Sequence, residues 1–164
     1  MGKKIVITGG IGYIGTELCK IYSGYSWNDE IIVIDNRFIS ERVNQLRNWN
    51  MNFVHGDILD KDLIKKYCQD ADVVHHLAGI TAVPRVKSEA NEEKEKEIER
   101  VAKEGTQNIL DVISDKCKIV MPSTHVVFEG IEDVKEDILE NETTCPTLAY
   151  GRSKDFNEKQ LKSS

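Results

Sequence analysis

The sequence has no excess of basic residues. Its 22 lysines and arginines are outnumbered by 28 aspartates and glutamates, a formal net charge of −6, whereas a nucleic-acid-binding surface is normally basic. No nucleic-acid partner is expected. Also missing is any apolar run approaching the ~20 residues that cross a bilayer, so no membrane span is expected. The N-terminus enters a strand-like segment directly, without the apolar stretch of a secretory signal. The expected location is cytoplasmic. Cys19, Cys68, Cys117 and Cys145 show no C-x-x-C spacing, and three of them fall in predicted helices or strands. They read as free thiols packed as small hydrophobes, not as disulfides or metal ligands. His55, His75, His76 and His125 likewise lack ligand spacing, and no metal is assigned. At 164 residues the chain has the size of one domain, 1–164, with a single core.

What is present is concentrated first in Lys3 to Gly15, KKIVITGGIGYIG. Lys4 to Thr8 is a short β-branched apolar run, read as a buried strand, and it stops at a glycine-rich turn leading into an amphipathic helix, Tyr13 to about Tyr22. Gly10, Gly12 and Gly15 satisfy G-x-G-x-x-G; Gly9, Gly12 and Gly15 satisfy G-x-x-G-x-x-G. Such glycines permit a tight turn, close approach of backbone to a pyrophosphate, and packing of helix on strand. The helix start offers unpaired N–H groups and a partial positive charge to phosphates. Gly9, Gly12, Tyr13, Ile14 and Gly15 are therefore assigned to the diphosphate of a dinucleotide. Glu30 to Asp35 (EIIVID) is a second strand that ends in a carboxylate 20 residues past Gly15. A carboxylate there accepts from the adenosine ribose hydroxyls and repels a 2′-phosphate, so Asp35, with Asn36, is assigned to the ribose and NAD is favoured over NADP. Arg37 could pair with such a phosphate, but Asp35 holds the deciding position; Asp35 could also simply start a turn.

Further on, a helical piece near Glu41 to Trp49 precedes a third strand, Asn52 to His55. In Gly56-Asp57-Ile58, Asp57 could accept from the adenine amino group while Ile58 covers the ring, or Asp57 could serve as a turn residue or helix cap. Asp60 to Gln69 reads as a short helix with Leu63, Ile64 and Tyr67 inward. Asp72 to Leu77 is the fourth strand. The small residues Ala78 and Gly79 after Leu77 leave room for a cofactor at the strand's carboxyl end, where open α/β sheets bind ligands, or make a tight packing turn. Val86 to Ser114 reads as one long helix, which Gly105 could break, and its glutamates and lysines form a solvated face with i,i+4 pairs. Lys118 to Met121 is the fifth strand and runs into Pro122-Ser123-Thr124-His125. Hydroxyls there can bond a substrate alcohol, though serine and threonine are common at strand ends. Glu129 to Cys145 is acidic and turn-rich, read as a flexible loop. The last helix runs from Tyr150 to the C-terminus and places Tyr150 and Lys154 on one face. An adjacent ammonium lowers a phenol's reference pKa near 10, so Tyr150 could remove an alcohol proton while Lys154 also donates to ribose hydroxyls.

Together TGGIGYIG (Thr8 to Gly15), Asp35, Gly56-Asp57-Ile58, HLAG (His76 to Gly79), Gly105-Thr106, Ser123-Thr124 and YGRSK (Tyr150 to Lys154) with Glu158 resemble the extended short-chain dehydrogenase/reductase family, in its NAD-dependent epimerase/dehydratase group typified by UDP-galactose 4-epimerase. The resemblance implies a doubly wound parallel α/β sheet, a Rossmann fold, ending after the Tyr/Lys helix without a substrate lobe. It implies NAD as cofactor and a nucleotide-sugar substrate oxidised transiently at a ring hydroxyl. Tyr150 would be the base, Lys154 its electrostatic partner, and Thr124 the hydroxyl sharing the substrate proton. Dehydratases of the group place Asp and Glu after that threonine; His125 and Val126 stand here, which disfavours dehydration. Thr81 and Ala102 replace the lysine and asparagine of many galactose epimerases.

Family members usually continue for about 150 residues more, so the chain is expected to be the cofactor-binding part, with weak or absent turnover by itself. Its fifth strand would be an exposed edge, and the family's habit of pairing through long helices admits a homodimer. Two alternatives stand beside the enzyme: a reductase of another small carbonyl compound, and a non-catalytic NAD-binding or interaction module.

Overall fold

The computed structural model describes residues 2–25, 28–81, 91–132 and 137–163. Five strands, β1 (Lys4–Thr8), β2 (Glu30–Asp35), β3 (Asn52–His55), β4 (Val73–His76) and β5 (Lys118–Val120), form one sheet in the order β3-β2-β1-β4-β5. Every pairing is parallel. The chain steps outward from β1 to β3, then returns to lay β4 on the other side of β1. This reversal creates a crevice at the carboxyl ends of β1 and β4, the place where such sheets take ligands. The helices are α1 (Tyr13–Tyr25), α2 (Ser40–Asn48), α3 (Lys61–Cys68), α4 (Glu92–Leu110) and α5 (Ala149–Lys162), with a short 3-10 helix at His125–Phe128.

The expected Rossmann fold is present, and its strands are legible because both sheet faces are covered, which makes central strands continuous apolar runs. On one face Ile5, Ile7, Ile31 and Val33 pack with Cys19 of α1 and Leu46 of α2. Alternation turns Val6, Ile32, Ile34 and Val74, all buried, to the other face. Thr8 and His76 are in register on that second face. The His76 ring bridges Thr8 Oγ1 (2.9 Å) to Thr106 Oγ1 of α4 (3.0 Å), so a buried polar chain ties two strands to a helix. Thr8 Oγ1 also accepts from the Ala78 N–H (3.3 Å).

The chain divides into two compact units, Met1–Gly79 with Gly105–Pro122, and Ile80–Glu104 with Ser123–Ser164. The first contains the whole sheet; the second contains the 3-10 helix, α5 and the first part of α4.

Several boundaries differ from the sequence reading for identifiable reasons. Helix α1 runs three residues past Tyr22. Helix α4 passes through Gly105 without a break; a Cβ there would stand 2.3 Å from Ile58 Cδ1, so this glycine serves packing against Ile58. The expected start of that helix at Val86 lies outside the described residues. The ends of the segment read as a flexible loop are paired, with Gly130 N donating to Cys145 O (2.9 Å) and Cys145 N to Val127 O (2.8 Å). Strand β5 pairs with β4 alone among the described residues and forms one edge of the sheet, as expected.

Candidate functional site

Asp35, Asn36, Asp57 and Ile58, the residues assigned to the glycine turn, and those assigned to the end of β4 all fall in the first unit. Gly9 has φ +68°, and a Cβ on it would stand 2.7 Å from Ala78 N and 2.8 Å from Ala78 Cα. Both conformation and space demand glycine, because the turn after β1 lies directly on the backbone after β4. Gly9 N donates to Ile34 O (2.8 Å) and Gly12 N to Gly9 O (3.0 Å), which closes the turn. Gly12 O then accepts from both Thr16 N (3.0 Å) and Thr16 Oγ1 (2.7 Å), starting α1. A Cβ on Gly15 would meet Gly10 Cα at 2.6 Å, so α1 packs on the turn only as glycine. Tyr13 and Ile14, at the first helical positions, are 83% and 58% exposed; large apolar side chains left outside at a helix start cost hydrophobic burial and leave that mouth open. The first N–H groups of α1 have no intrahelical acceptor.

Asp35 ends β2 with its carboxylate buried over the turn. Oδ2 accepts from Ile11 N (3.2 Å) and Oδ1 from Arg37 N (3.0 Å). The Arg37 guanidinium adds two bonds, Nε to Oδ1 (3.2 Å) and Nη2 to Oδ2 (3.3 Å). The side chain of Arg42, on α2, donates to the Ile11 carbonyl and holds the turn from outside. Neither arginine contact was foreseen: an arginine in a sequence does not say which oxygen it will find.

Asn36 and Asp57 are brought together, Asn36 Nδ2 donating to Asp57 Oδ2 (2.9 Å). The other Asp57 oxygen accepts from Leu59 N (2.9 Å), a local turn bond. Its acceptor capacity toward a ligand therefore coexists with the turn role. Ile58 is buried with its side chain against the Gly105 position, and its carbonyl accepts from Asn108 Nδ2 (3.0 Å). Leu77 and Ala78 are half-buried, with Leu77 N bonded to Thr8 O (3.1 Å). Gly79 is exposed, and among the described residues nothing lies within 4 Å of where its Cβ would stand. Among the described residues this leaves space beside the end of β4 that a ligand could occupy. Backbone donors at a helix start, a carboxylate at the end of β2 and a bare glycine beyond β4 fit a dinucleotide.

Thr124, Tyr150 and Lys154 lie in the second unit. Thr124 has extended backbone and caps the 3-10 helix, Oγ1 accepting from Val126 N (3.3 Å), which leaves its hydrogen for another acceptor. Gly151 lets α5 approach that helix: a Cβ there would stand 3.0 Å from Val126 O and from Pro146 Cβ. Tyr150 and Lys154 are both half-buried. Burial pushes the Lys154 ammonium below its ordinary value, because desolvation penalises its charged form.

The start of α5 is gripped from both sides. Glu129 Oε1 accepts from Thr147 N (2.9 Å), Thr147 Oγ1 (3.0 Å) and Leu148 N (2.6 Å). Arg152 Nη1 donates to Thr147 O (2.5 Å), while its other nitrogens reach Glu99 (2.8 Å) and Glu95 (3.0 Å) of α4. Half-buried Glu95 and exposed Glu99 of α4 thus reach across to α5 in addition to the pairs along their own helix. Glu92 and Lys96 form an i,i+4 pair as the sequence reading foresaw (2.6 Å), while Glu95 and Glu99 anchor α5. Asn157 Nδ2 to Ala102 O (3.0 Å) and Ser123 Oγ to Glu158 add two further ties within this unit. Among the described residues no group of three or more His, Cys, Asp or Glu could hold a metal ion, and no helix is long and apolar enough to cross a membrane.

Residues 6–164 match the model of the 3-beta hydroxysteroid dehydrogenase/isomerase family. The chain belongs to that family. The resemblance to extended short-chain dehydrogenase/reductases of the epimerase/dehydratase group is shown with it. The CDP-paratose 2-epimerase of Salmonella typhi is 34% identical over 87% of this chain and 43% of its own length. The crystallised UDP-glucose 4-epimerase of Bifidobacterium longum, in complex with NAD+ and UDP, is 26% identical with a TM-score of 0.78, over 98% of this chain and 48% of that one. UDP-N-acetylglucosamine 4-epimerase of Methanobrevibacter ruminantium M1 shares the fold, at 24% identity and a TM-score of 0.80, over 99% of this chain and 50% of that one. The chain spans about half the length of these relatives.

Proposed function

We propose that this chain is the cofactor-holding part of an NAD-dependent enzyme that transiently oxidises a ring hydroxyl of a nucleotide sugar, as an epimerase does. The observation that carries the reading is the glycine turn pressed on Ala78 beneath the Asp35 carboxylate, in one chain with α5 and its Tyr150 and Lys154. Bound NAD would supply the hydride acceptor. The turn residues Gly9 and Gly12 and the first N–H groups of α1, at Tyr13, Ile14 and Gly15, would hold the diphosphate. Asp35 and Asn36 would hold the adenosine ribose, Asp57 and Ile58 the adenine, and Leu77 to Gly79 would leave space beside β4.

At the reacting end Tyr150 would take the alcohol proton on its phenolic oxygen. Lys154 would favour the phenolate, since a cation and an anion in a desolvated place stabilise one another more than either is stabilised alone. Thr124 would donate its remaining hydrogen to the same substrate oxygen and fix its position. The substrates in the relatives' names, UDP-glucose and CDP-paratose, support a nucleotide sugar as substrate class.

The test is titration of NAD into the chain, then addition of a panel of sugar nucleotides with nicotinamide absorbance as readout. Saturable NAD binding is expected, and protein that includes a substrate lobe should show reduction that Tyr150→Phe abolishes. Absence of NAD binding, or turnover indifferent to Tyr150→Phe, overturns the proposal. Binding with no reduction by any sugar, lobe included, would favour a non-catalytic NAD-binding module.

A further inference from the structure

Two successive main-chain amides after β4 are held by one residue. Leu77 N donates to Thr8 O (3.1 Å) and Ala78 N to Thr8 Oγ1 (3.3 Å). In a strand, neighbouring N–H groups face opposite edges, so a chain that sends both to Thr8 has left the strand direction. The Thr8 hydroxyl marks the bend that lays Ala78 on Gly9, where a Cβ would stand 2.7 Å from Ala78 N.

A hydroxyl has one hydrogen and two lone pairs. Among the described residues the Thr8 hydroxyl has two partners, the Ala78 N–H and His76 Nδ1 (2.9 Å). The amide can only donate, so the hydroxyl hydrogen goes to Nδ1, which must itself be bare. A ring with a bare Nδ1 carries its hydrogen on Nε2, and Thr106 Oγ1 of α4 stands 3.0 Å from that nitrogen. The order is thereby fixed: Ala78 N–H to Thr8, Thr8 O–H to Nδ1, Nε2–H to Thr106. All three side chains are buried, so a missing link leaves a polar group unpaired away from water.

We infer that His76 is a positioning residue: its Nε2–H tautomer, acting through Thr8, turns the end of β4 over the glycine turn and shapes the crevice before a cofactor enters. The inference rests on the dinucleotide reading above. His76 need not touch the dinucleotide to govern its affinity.

The 164-residue chain and its Thr8→Val, His76→Leu, His76→Asn and Thr106→Val variants test this. Urea midpoints confirm folding, NAD titration gives affinity, and NMR reads the Ala78 amide and the ring nitrogens. Wild type should show Nε2 protonated, Nδ1 bare and a slowly exchanging Ala78 amide. Thr8→Val and His76→Leu should speed that exchange and weaken NAD binding about five- to tenfold, the worth of one lost hydrogen bond. His76→Asn, whose side-chain oxygen can still take the Thr8 hydrogen, should recover most of the affinity. Thr106→Val should lower the urea midpoint as Thr8→Val does, yet change NAD affinity less than about twofold, since the bond to Ala78 is kept. Should His76→Leu not fold, Thr8→Val and the wild-type ring spectrum decide. A hydrogen on Nδ1, unchanged NAD affinity in folded Thr8→Val, or an equal loss of affinity in Thr106→Val overturns the role of His76. A wild type that binds no NAD refutes the dinucleotide reading instead, and the ring tautomer with Ala78 exchange still decides whether His76 holds the bend.

Discussion

Replacing Glu129 by alanine removes a carboxylate oxygen on which three donors converge at the start of α5. Leu148, the residue before that helix, has no side-chain cap of its own. Two of the donors are the main-chain N–H groups of Thr147 and Leu148, at 2.9 and 2.6 Å. Loss of a helix cap costs about 0.5–2 kcal/mol. Glu129 and Thr147 are exposed, so water replaces part of what is lost, whereas three bonds to one charged oxygen argue against the bottom of the range. A value of about 1 kcal/mol follows for local opening of the first turn, since Arg152 and Asn157 still hold the helix further along. Amide hydrogen exchange reads this directly: about 1 kcal/mol speeds exchange of the first-turn amides roughly fivefold. Amides of β1 and β2 should be unchanged, because the bonds of the cap lie within the second unit. Glu129→Gln, keeping an acceptor without its charge, should recover about half, as charged bonds are roughly twice as strong as neutral ones. Exchange in Glu129→Ala equal to wild type, or accelerated equally in the sheet, would refute the cap as the anchor of the helix that carries Tyr150.

Three other outcomes follow from single observations. Gly9→Ala combines a left-handed φ with a clash against Ala78 backbone, and should lower stability in urea by at least about 2 kcal/mol; an unchanged midpoint would mean the turn yields. His75, bonded to Tyr22 Oη (2.7 Å), has its pKa held below the usual 6.5 by burial first and Lys118 second. As pH falls below 6.5 the unfolded chain takes up a proton that the folded ring resists, so stability drops, by at most about 1.4 kcal/mol per pH unit. In His75→Asn that part of the slope in a pH series of urea melts should vanish. Burial raises the Cys19 and Cys68 thiols to about 12, so at pH 8 iodoacetamide should label exposed Cys145 first and reach those two only on unfolding, as mass spectrometry would show.

Much of the fold was legible because each strand of a sheet covered on both faces is a short apolar run, and the glycine turn sits in register after the first of them. Asp35 was legible as an acceptor from its distance along the chain. The occupancy of its lone pairs was not, since Arg37 might equally have faced solvent. Gly105 looked like a helix break because propensity counts a glycine against a helix; packing against Ile58 outweighed that. The contacts of Glu95 and Glu99 with α5 were not legible, because an i,i+4 pattern records only neighbours on the same helix, and Arg152 reaches Glu95 from 57 residues away.

What the order of residues determined alone is the local part: which segments are strands and helices, where backbone must turn tightly, and that Tyr150 and Lys154 share a helix face. Those follow from periodicity and backbone sterics, which act over a few residues. Tertiary structure decided the partners, since hydrogen bonds and ion pairs are satisfied by whatever the fold brings within about 3 Å. Thr8 reaches His76 across 68 positions, and His76 reaches Thr106 across 30 more. The guanidinium on Asp35 belongs to this second kind.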